Sequence, residues 1–510
     1  MAKSLLAAVA AGVLTLGVPM LQAAHAQTPS QTFHIALRED PDILDPTLAQ
    51  SYVGRIVFAG LCDKLFDINA KLQVVPMLAT SYQWATPTSL IIHLRPGVTF
   101  QDGTKMDAAA VAYTIHRDLT MQGSARKGEL AHVTGAEVVD PLTVKLTLSQ
   151  PNAGLIAQLT DRAGMIFSPT AAKKAGKNFG LHPVCAGPFA FEKRIPQDEI
   201  VLKRYPGYWN AKAIHFARVV YRPFTNGAVR LANLKAGAID LSEQVLPTDV
   251  KAVEQDPKLT IVTSPGLGYQ GITFNTNNGP AAKSPIGQSA LVRKAFELSI
   301  DRKALIQVVY NGMFPPTAQA ESPLSPYFDK NIKVPGRNIA EAKALLKKAG
   351  VKLPVKVVLT ITNGSDSQQT GVVIQSMAKD AGFDVKLRTL EFATSLHAGE
   401  KGDFQAYLIG WSGRVDPDGN LTPFLHTGAF FNYGHYSNPT MNKLLEAGLA
   451  TNDFAKRKAI YDQVQELSNK DLPLMYLYTL GNIVGMKKTV HGFVPVPDGM
   501  IRLQGVSMSK

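Results

Sequence analysis

The sequence predicts an α/β protein of more than one lobe, and three observations carry that expectation. The chain has 510 residues, more than a core of ordinary size serves, so two or three lobes are expected. Its second half alternates strand-like and helix-like runs, the pattern of strand–helix–strand units on a mainly parallel sheet. The region from about 70 to 180 is instead rich in hairpin signals, which marks a separate α+β unit. An apolar content of 45% and a charged content of 18% suit a compact chain and not a disordered one.

The elements follow in order. "TFHIALRE" (32–39) reads as an early strand. "SLIIHLRPGVTFQDG" (89–103) reads as a strand, a Pro-Gly turn, a short strand and a second turn. "MDAAAVAYTIHRDL" follows as a helix with Asp107 as its N-cap. "AEVVDPLTVKLTLSQP" (136–151) is a hairpin about Asp140-Pro141, and "VVYRPF" (219–224) and "LTIVTSP" (259–265) are further strands. Residues 290–312 form two helical segments with a break near Ser299–Asp301. "NIAEAKALLKKAG" (338–350) is the clearest helix: Asn338 and Glu341 make a capping box, Ala342, Leu345, Leu346 and Ala349 share one face, and Gly350 stops it. "VKVVLTIT" (355–362) is a strand, and 371–390 gives a helix, a Gly turn and another strand.

The first 26 residues stand apart. Lys3 precedes an apolar run from Leu5 to about Leu21, and Ala24-His25-Ala26 offers small residues to a signal peptidase. This is a secretory signal peptide with cleavage before Gln27. A membrane anchor fits less well, because Gly17 and Pro19 break the run. No cysteine follows the apolar core, so lipid attachment is not expected, and no later run is long enough to span a bilayer. Export as a soluble protein is the expectation.

Losing Lys3 with the leader lowers the formal charge of +13 by one. The remaining basic residues are dispersed, and the densest spots, "KKAGK" and "LLKKAG", sit by helix ends, where cations are favoured. They read as solvated faces, and nucleic acid is not an expected partner. Cys62 and Cys185 are the two cysteines; an oxidising compartment permits a disulfide, and two separate buried thiols are the alternative.

Reaction chemistry is hard to find. "GLGYQG" (266–271) has dinucleotide-loop spacing, but "ITFNTN" after it reads as a strand, where a pyrophosphate requires a helix N-terminus. "KKAGKNFG" (173–180) lacks the upstream Gly of a phosphate loop and has Asn178 where a hydroxyl is needed. "GWSG" (410–413) brings its second Gly one residue too early for a nucleophile elbow. "DPDGN" has Leu421 where a calcium loop needs Gly. The eleven histidines are scattered. Binding is therefore favoured over catalysis, with no cofactor and no metal expected.

Several stretches resemble one family. "LATSYQWATPTSLIIHLRPGVTFQDGTKMDAAAVAYTI" (78–115) resembles a signature of the family-5 solute-binding proteins, the extracytoplasmic receptors of peptide and nickel ABC importers. "HPVCAGPFAFEKR", "LKRYPGYWN" (202–210) with "RLANLKAGAIDL" (230–241), and "VRKAFELSIDRKAL" (292–305) are similar to three more landmarks, in order. Cys185 and Ala186 stand where the family has Gly and Thr. The resemblance spans the mature chain and implies a two-lobed periplasmic-binding-protein-like fold with an inserted α+β domain. Lobe one would comprise 27–66, 184–265 and 480–510, the insertion 67–183, and lobe two 266–479. Ligand would bind between the lobes of a periplasmic monomer, which then docks on a membrane permease. By this mapping both cysteines fall near the edges of lobe one, which tips the choice toward a Cys62–Cys185 disulfide.

The resemblance also points to "GWSGRVDPDGN" (410–420), where peptide receptors bring a strand ending in Gly-Trp into the cleft. Trp411 would line that cleft. Three residues later the relatives place an Asp for the peptide amine, and this chain has Arg414. Either Arg414 clamps an anionic group, or it pairs with Asp416 or Asp418 and shapes the loop; Asp416 could take the amine role, or both acids could form a turn. Tyr269 and Asn275 flank the crossing into lobe two, and Tyr52 follows the first strand. Asn363 lies near the place where some dipeptide receptors carry an arginine. The expected ligand is a short peptide or peptide-like, anionic or not; a nickel chelate, haem or an opine-type conjugate is the rival, and an exported hydrolase or a chaperone-like binder the alternative class.

Overall fold

A computed structural model describes residues 31–509, so the signal peptide expected at 1–26 lies outside the described residues. A ten-stranded sheet runs through the molecule. In spatial order its strands are Phe383–Leu390, Val355–Thr362, Ala406–Trp411, Leu259–Phe274, Leu474–Lys487, Leu241–Ser242, Thr32–Leu37, Arg218–Pro223, Glu199–Arg204 and Phe189–Ile195. Parallel pairs occur near each end, Val355–Thr362 with its two neighbours and Thr32–Leu37 with its two. The remaining pairs are antiparallel, so the expectation of a mainly parallel sheet is corrected. The reason lies in two long strands, Leu259–Phe274 (16 residues) and Leu474–Lys487 (14 residues), which pair antiparallel through the centre. The sequence reading ended the first of them at Pro265; instead it runs on through "GLGYQG", which is why no dinucleotide loop forms there.

These two strands feed two cores. Val484 and Met486 pack with Phe33, Ile35 and Val57, while Ile272, Phe274 and Met475 pack with Leu359 and Phe383. Their register shifts between Pro265, opposite Gly481, and Tyr269, opposite Thr479. A second sheet has the order Ala79–Thr86, Ser89–Leu94, Thr143–Leu148, Val133–Asp140, all antiparallel, with the helix Ala108–Thr120 against it and a core of its own around Leu90, Ile92, Val111 and Leu146.

Local signals operate as chemistry requires. Asp107 Oδ1 accepts the Ala110 N–H at 3.0 Å and opens the helix. Asn338 Oδ1 accepts from Glu341 N at 3.1 Å, and its Nδ2 donates to the Glu341 carboxylate at 3.0 Å, starting the helix Ile339–Lys348. Asp140 Oδ1 accepts from Leu142 N at 2.8 Å in the hairpin turn. Cys62, at the C-cap of the helix Tyr52–Leu61, is bonded to Cys185, with Cα atoms 4.9 Å apart. That disulfide closes a loop of 123 residues containing the whole four-stranded sheet.

Candidate functional site

The strand Ala406–Trp411 pairs with Tyr269–Phe274 and ends with Trp411 opposite Tyr269. Beyond it the chain must cross the neighbouring strand closely. A Cβ on Gly268 would lie 2.0 Å from the Trp411 carbonyl, and one on Gly413, at φ +78°, 2.3 Å from the Leu267 backbone. Glycine at both positions lets the two segments touch. The Asn420 side chain then clips the loop: its Oδ1 accepts from Trp411 Nε1 (3.1 Å) and from Arg414 N (2.7 Å), and its Nδ2 donates to the Arg414 carbonyl (3.0 Å) and to Glu321 (3.0 Å).

Trp411, packed against Phe424 and Phe431, forms part of the wall of a deep cleft. Counted to its open mouth, the cleft holds about 1660 Å³. One side is built from Arg38, Glu39 and Tyr52 beyond the first strand and from Arg230 on the helix Gly227–Lys235; the other has Tyr310, Asn363, Asp366 and Tyr433. Contacts bridge its mouth. Tyr433 Oη donates to Gln50 Oε1 (2.7 Å), Gln50 Nε2 donates to Glu400 (2.6 Å), and Gly227 N donates to Ser365 Oγ (3.2 Å).

Charges in the cleft are unevenly matched. Arg38 Nε lies 3.1 Å from Glu243, and its guanidinium sits 4.6 Å over the Tyr52 ring. Arg230 donates Nε to the Gln244 carbonyl (2.9 Å) and Nη1 to that of Phe224 (2.5 Å), and makes no hydrogen bond through Nη2 among the described residues. Glu39 and Asp366 have neither an ion pair nor a side-chain hydrogen-bond partner among the described residues. Desolvation pushes the Glu39 carboxyl up to about 8, against the pull of Arg38 and helped by Glu243 and Asp366.

A family model, bacterial extracellular solute-binding proteins, family 5 Middle, matches residues 73–432, well over half of the chain. The chain belongs to that family. This solute-binding protein is 27% identical over 488 residues to the glutathione-binding protein GsiB of Pectobacterium atrosepticum, covering 92% of each chain. It is 28% identical over 498 residues to GsiB of Salmonella typhimurium, covering 95% of its own length and 96% of that protein. Among solved structures it is similar to AgaA of A. tumefacien R10 in complex with agropinic acid, with TM-score 0.86, 27% identity and coverage of 94% and 99%. The Bacillus subtilis oligopeptide-binding protein AppA in complex with a nonapeptide has the same fold, with TM-score 0.86, 22% identity and coverage of 95% and 100%.

The sequence-expected residues divide in two. Trp411, Tyr52 and Asn363 line the cleft. Arg414, Asp416, Tyr269 and Asn275 are not among the lining residues, and their side chains are engaged within the protein. Arg414 turns behind the Trp411 ring, 4.3 Å from its centroid, toward Asp161 (3.5 Å) and Glu129 (3.9 Å). It therefore pairs with neither Asp416 nor Asp418. Burial brings its guanidinium down to about 10. Burial alone would raise Asp161, but Arg414, Arg55 and Arg162 outweigh it and hold that carboxyl well below the usual range. Asp416 accepts both Nη groups of Arg457 (2.6 and 2.8 Å) and the Asp418 N–H (3.0 Å), which makes it an anchor for the turn. Tyr269 is buried edge-on to Tyr476 at 4.8 Å. Asn275 donates to the carbonyls of Asn278, Gly402 and Phe404 and holds the loop backbone together.

Sequence reasoning missed Arg38, Glu39, Arg230 and Asp366. A signal existed for two of them: "ALRED" places an Arg-Glu pair at the end of a strand that enters the sheet interior, and charge there has to be matched or presented to something.

Proposed function

We propose that this family-5 protein is the extracytoplasmic receptor of an ABC importer. It encloses a short peptide or a peptide-like, amino-acid-derived small molecule and delivers it to a membrane permease. The observation that carries the ligand class is the cleft itself, where aromatic walls of Trp411, Phe424 and Phe431 meet incompletely paired groups of both signs. Apolar walls with a few placed polar groups suit small, partly polar ligands. The relatives named for glutathione and agropinic acid bind molecules of that kind.

In this reading 27–66, 184–265 and 480–510 form one lobe, 266–479 the other, and 67–183 an insertion. The register shift between Pro265 and Tyr269 and the separate core around Leu90 and Val111 support that division. The Gln50–Tyr433, Gln50–Glu400 and Gly227–Ser365 bonds belong to the closed form, and opening would break them. The protein works in the periplasm as a monomer and as a binder, not an enzyme. Its relatives are binding proteins, and no helix among the described residues is long and apolar enough to cross a membrane.

The test is mass spectrometry of the small molecules released on denaturing the freshly purified protein, followed by calorimetry with glutathione, di- and tripeptides, an opine-type conjugate, a nickel–histidine chelate and haem. Peptides or amino-acid conjugates in the released fraction, rebinding one to one, are the expected result. Exclusive binding of the chelate or of haem, or turnover of an ester or amide substrate, would overturn the reading.

A further inference from the structure

The loop after the strand Ala406–Trp411 turns its charge into the protein interior: Arg414 faces Asp161 and Glu129 behind Trp411. Charge recognition must then come from elsewhere in the cleft. Two acids enter it from different parts of the structure, Glu39 just beyond the strand Thr32–Leu37 and Asp366 in the first turn of the helix Ser365–Lys379. Both are part-buried, and neither meets a cation within ion-pair distance among the described residues. Arg230 is 3% exposed, lines the same cleft, and has two of its three guanidinium nitrogens fixed on backbone carbonyls, with Nη2 unpartnered among the described residues.

With every group ionised, Arg38 and Arg230 stand against Glu39, Glu243 and Asp366. Arg38 is committed to Glu243, so one cation, Asp366 and, once it ionises, Glu39 remain for whatever enters. A partly desolvated charge without a counter-charge is costly, and a ligand bearing the complementary charges removes that cost. We propose that this cleft recognises a zwitterion, receiving the ligand's carboxylate on Nη2 of Arg230 and its ammonium group between Glu39 and Asp366. The inference rests on the peptide-like reading above and names the two head groups that such a ligand must present. An acyl cap on the amine leaves both acids unsatisfied, and an amide at the carboxylate leaves Arg230 unsatisfied, so each cap weakens binding.

Calorimetry decides it, with glutathione and a set of di- and tripeptides each tested free, N-acetylated and C-amidated. Acetylation is expected to weaken binding by about tenfold or more, and amidation likewise. In Glu39→Gln the free amine should lose affinity while the acetylated form changes little, so the discrimination shrinks. Capped and free forms binding equally would overturn the zwitterion site and leave the receptor reading standing. Full discrimination retained in Glu39→Gln would overturn the assignment of the amine to Glu39. Failure of every compound, free and capped, would overturn this inference and the peptide part of the reading above, which the opine-type conjugate tests separately. Ligand capping leaves the protein intact, so the result does not depend on any variant folding.

Discussion

Two charged regions lie on either side of Trp411, and they are built on opposite plans. Behind the indole, Arg55, Arg126, Arg162 and Arg414 surround Asp161 and Glu129, and all six are nearly inaccessible. Both carboxylates are spoken for: Arg126 donates to both oxygens of Glu129 at 2.7 Å, and Asp161 is paired with Arg55 and lies 3.5 Å from Arg414. In front of the indole, the cleft holds Glu39 and Asp366 without partners among the described residues. The rear cluster joins the helix Tyr52–Leu61, the region of the four-stranded sheet and the loop after Ala406–Trp411. The two front acids tie no segments together among the described residues. Charge that ties segments together is matched internally, and charge left unmatched at an open cleft is available to a ligand.

The sharpest way to break this contrast is to remove one carboxylate from the rear. Asp161→Asn leaves Arg55, Arg162 and Arg414 buried without their shared counter-ion. Removing one member of a buried pair typically costs about 3–5 kcal/mol, and a loss of that size is expected in urea unfolding. A cost well below about 1 kcal/mol would mean that the cluster is wetter and less coupled than its burial implies.

How much of this was legible in the sequence depended on the range of the interaction. Caps and turns follow from neighbours, so Asp107, Asn338, Gly350 and the Asp140-Pro141 hairpin were readable. So was Trp411 at a strand end, from the apolar run "DFQAYLIG" before it. The sheet's mixed direction was not, because nothing local distinguishes a strand that stops at Pro265 from one that bulges there and continues. The pairing of Arg414 with Asp416 or Asp418 failed for the same reason. The arginine's nearest acids in sequence are Asp416 and Asp418, but its partners are Glu129 and Asp161, hundreds of residues away and brought near only by the fold. Asp416 in turn was claimed by Arg457, on the helix Phe454–Asp471. Charge patterning along a chain counts the candidates for pairing, and only the fold assigns the pairs.

Trp411 belongs to both regions, and an intermediate effect is expected from Trp411→Phe. The ring remains apolar toward Phe424 and Phe431, but the bond from Nε1 to Asn420 is lost and the surface under the Arg414 guanidinium shrinks. A loss of about 1–2 kcal/mol in stability is expected, with ligand affinity reduced several-fold. Stability lost with affinity untouched would place the indole wholly with the rear cluster and take it out of the recognition surface.

The smallest effect on stability, and the most diagnostic, comes from the front. Desolvation holds the Glu39 carboxyl near 8, above the value of about 4.3 it has in the unfolded chain. The folded state then keeps its proton over a range where the unfolded state has lost it, so this group's contribution to stability falls as pH rises from about 4 through about 8. Other buried acids share that sign, Asp63 among them, raised to about 7 by burial despite hydrogen bonds from Trp209 and Tyr208. The difference between wild type and Glu39→Gln isolates Glu39: the variant should be as stable as wild type at pH 5 or nearly so, and gain on it toward pH 8. Ligand binding should run the other way. An ammonium group favours the ionised carboxylate, so affinity for a free-amine ligand should climb over the same interval in wild type, with proton release visible in buffers of different ionisation enthalpy. In Glu39→Gln both trends should flatten. If stability and affinity instead rise together with pH, Glu39 is already paired within the protein, and the front of Trp411 is built like the back.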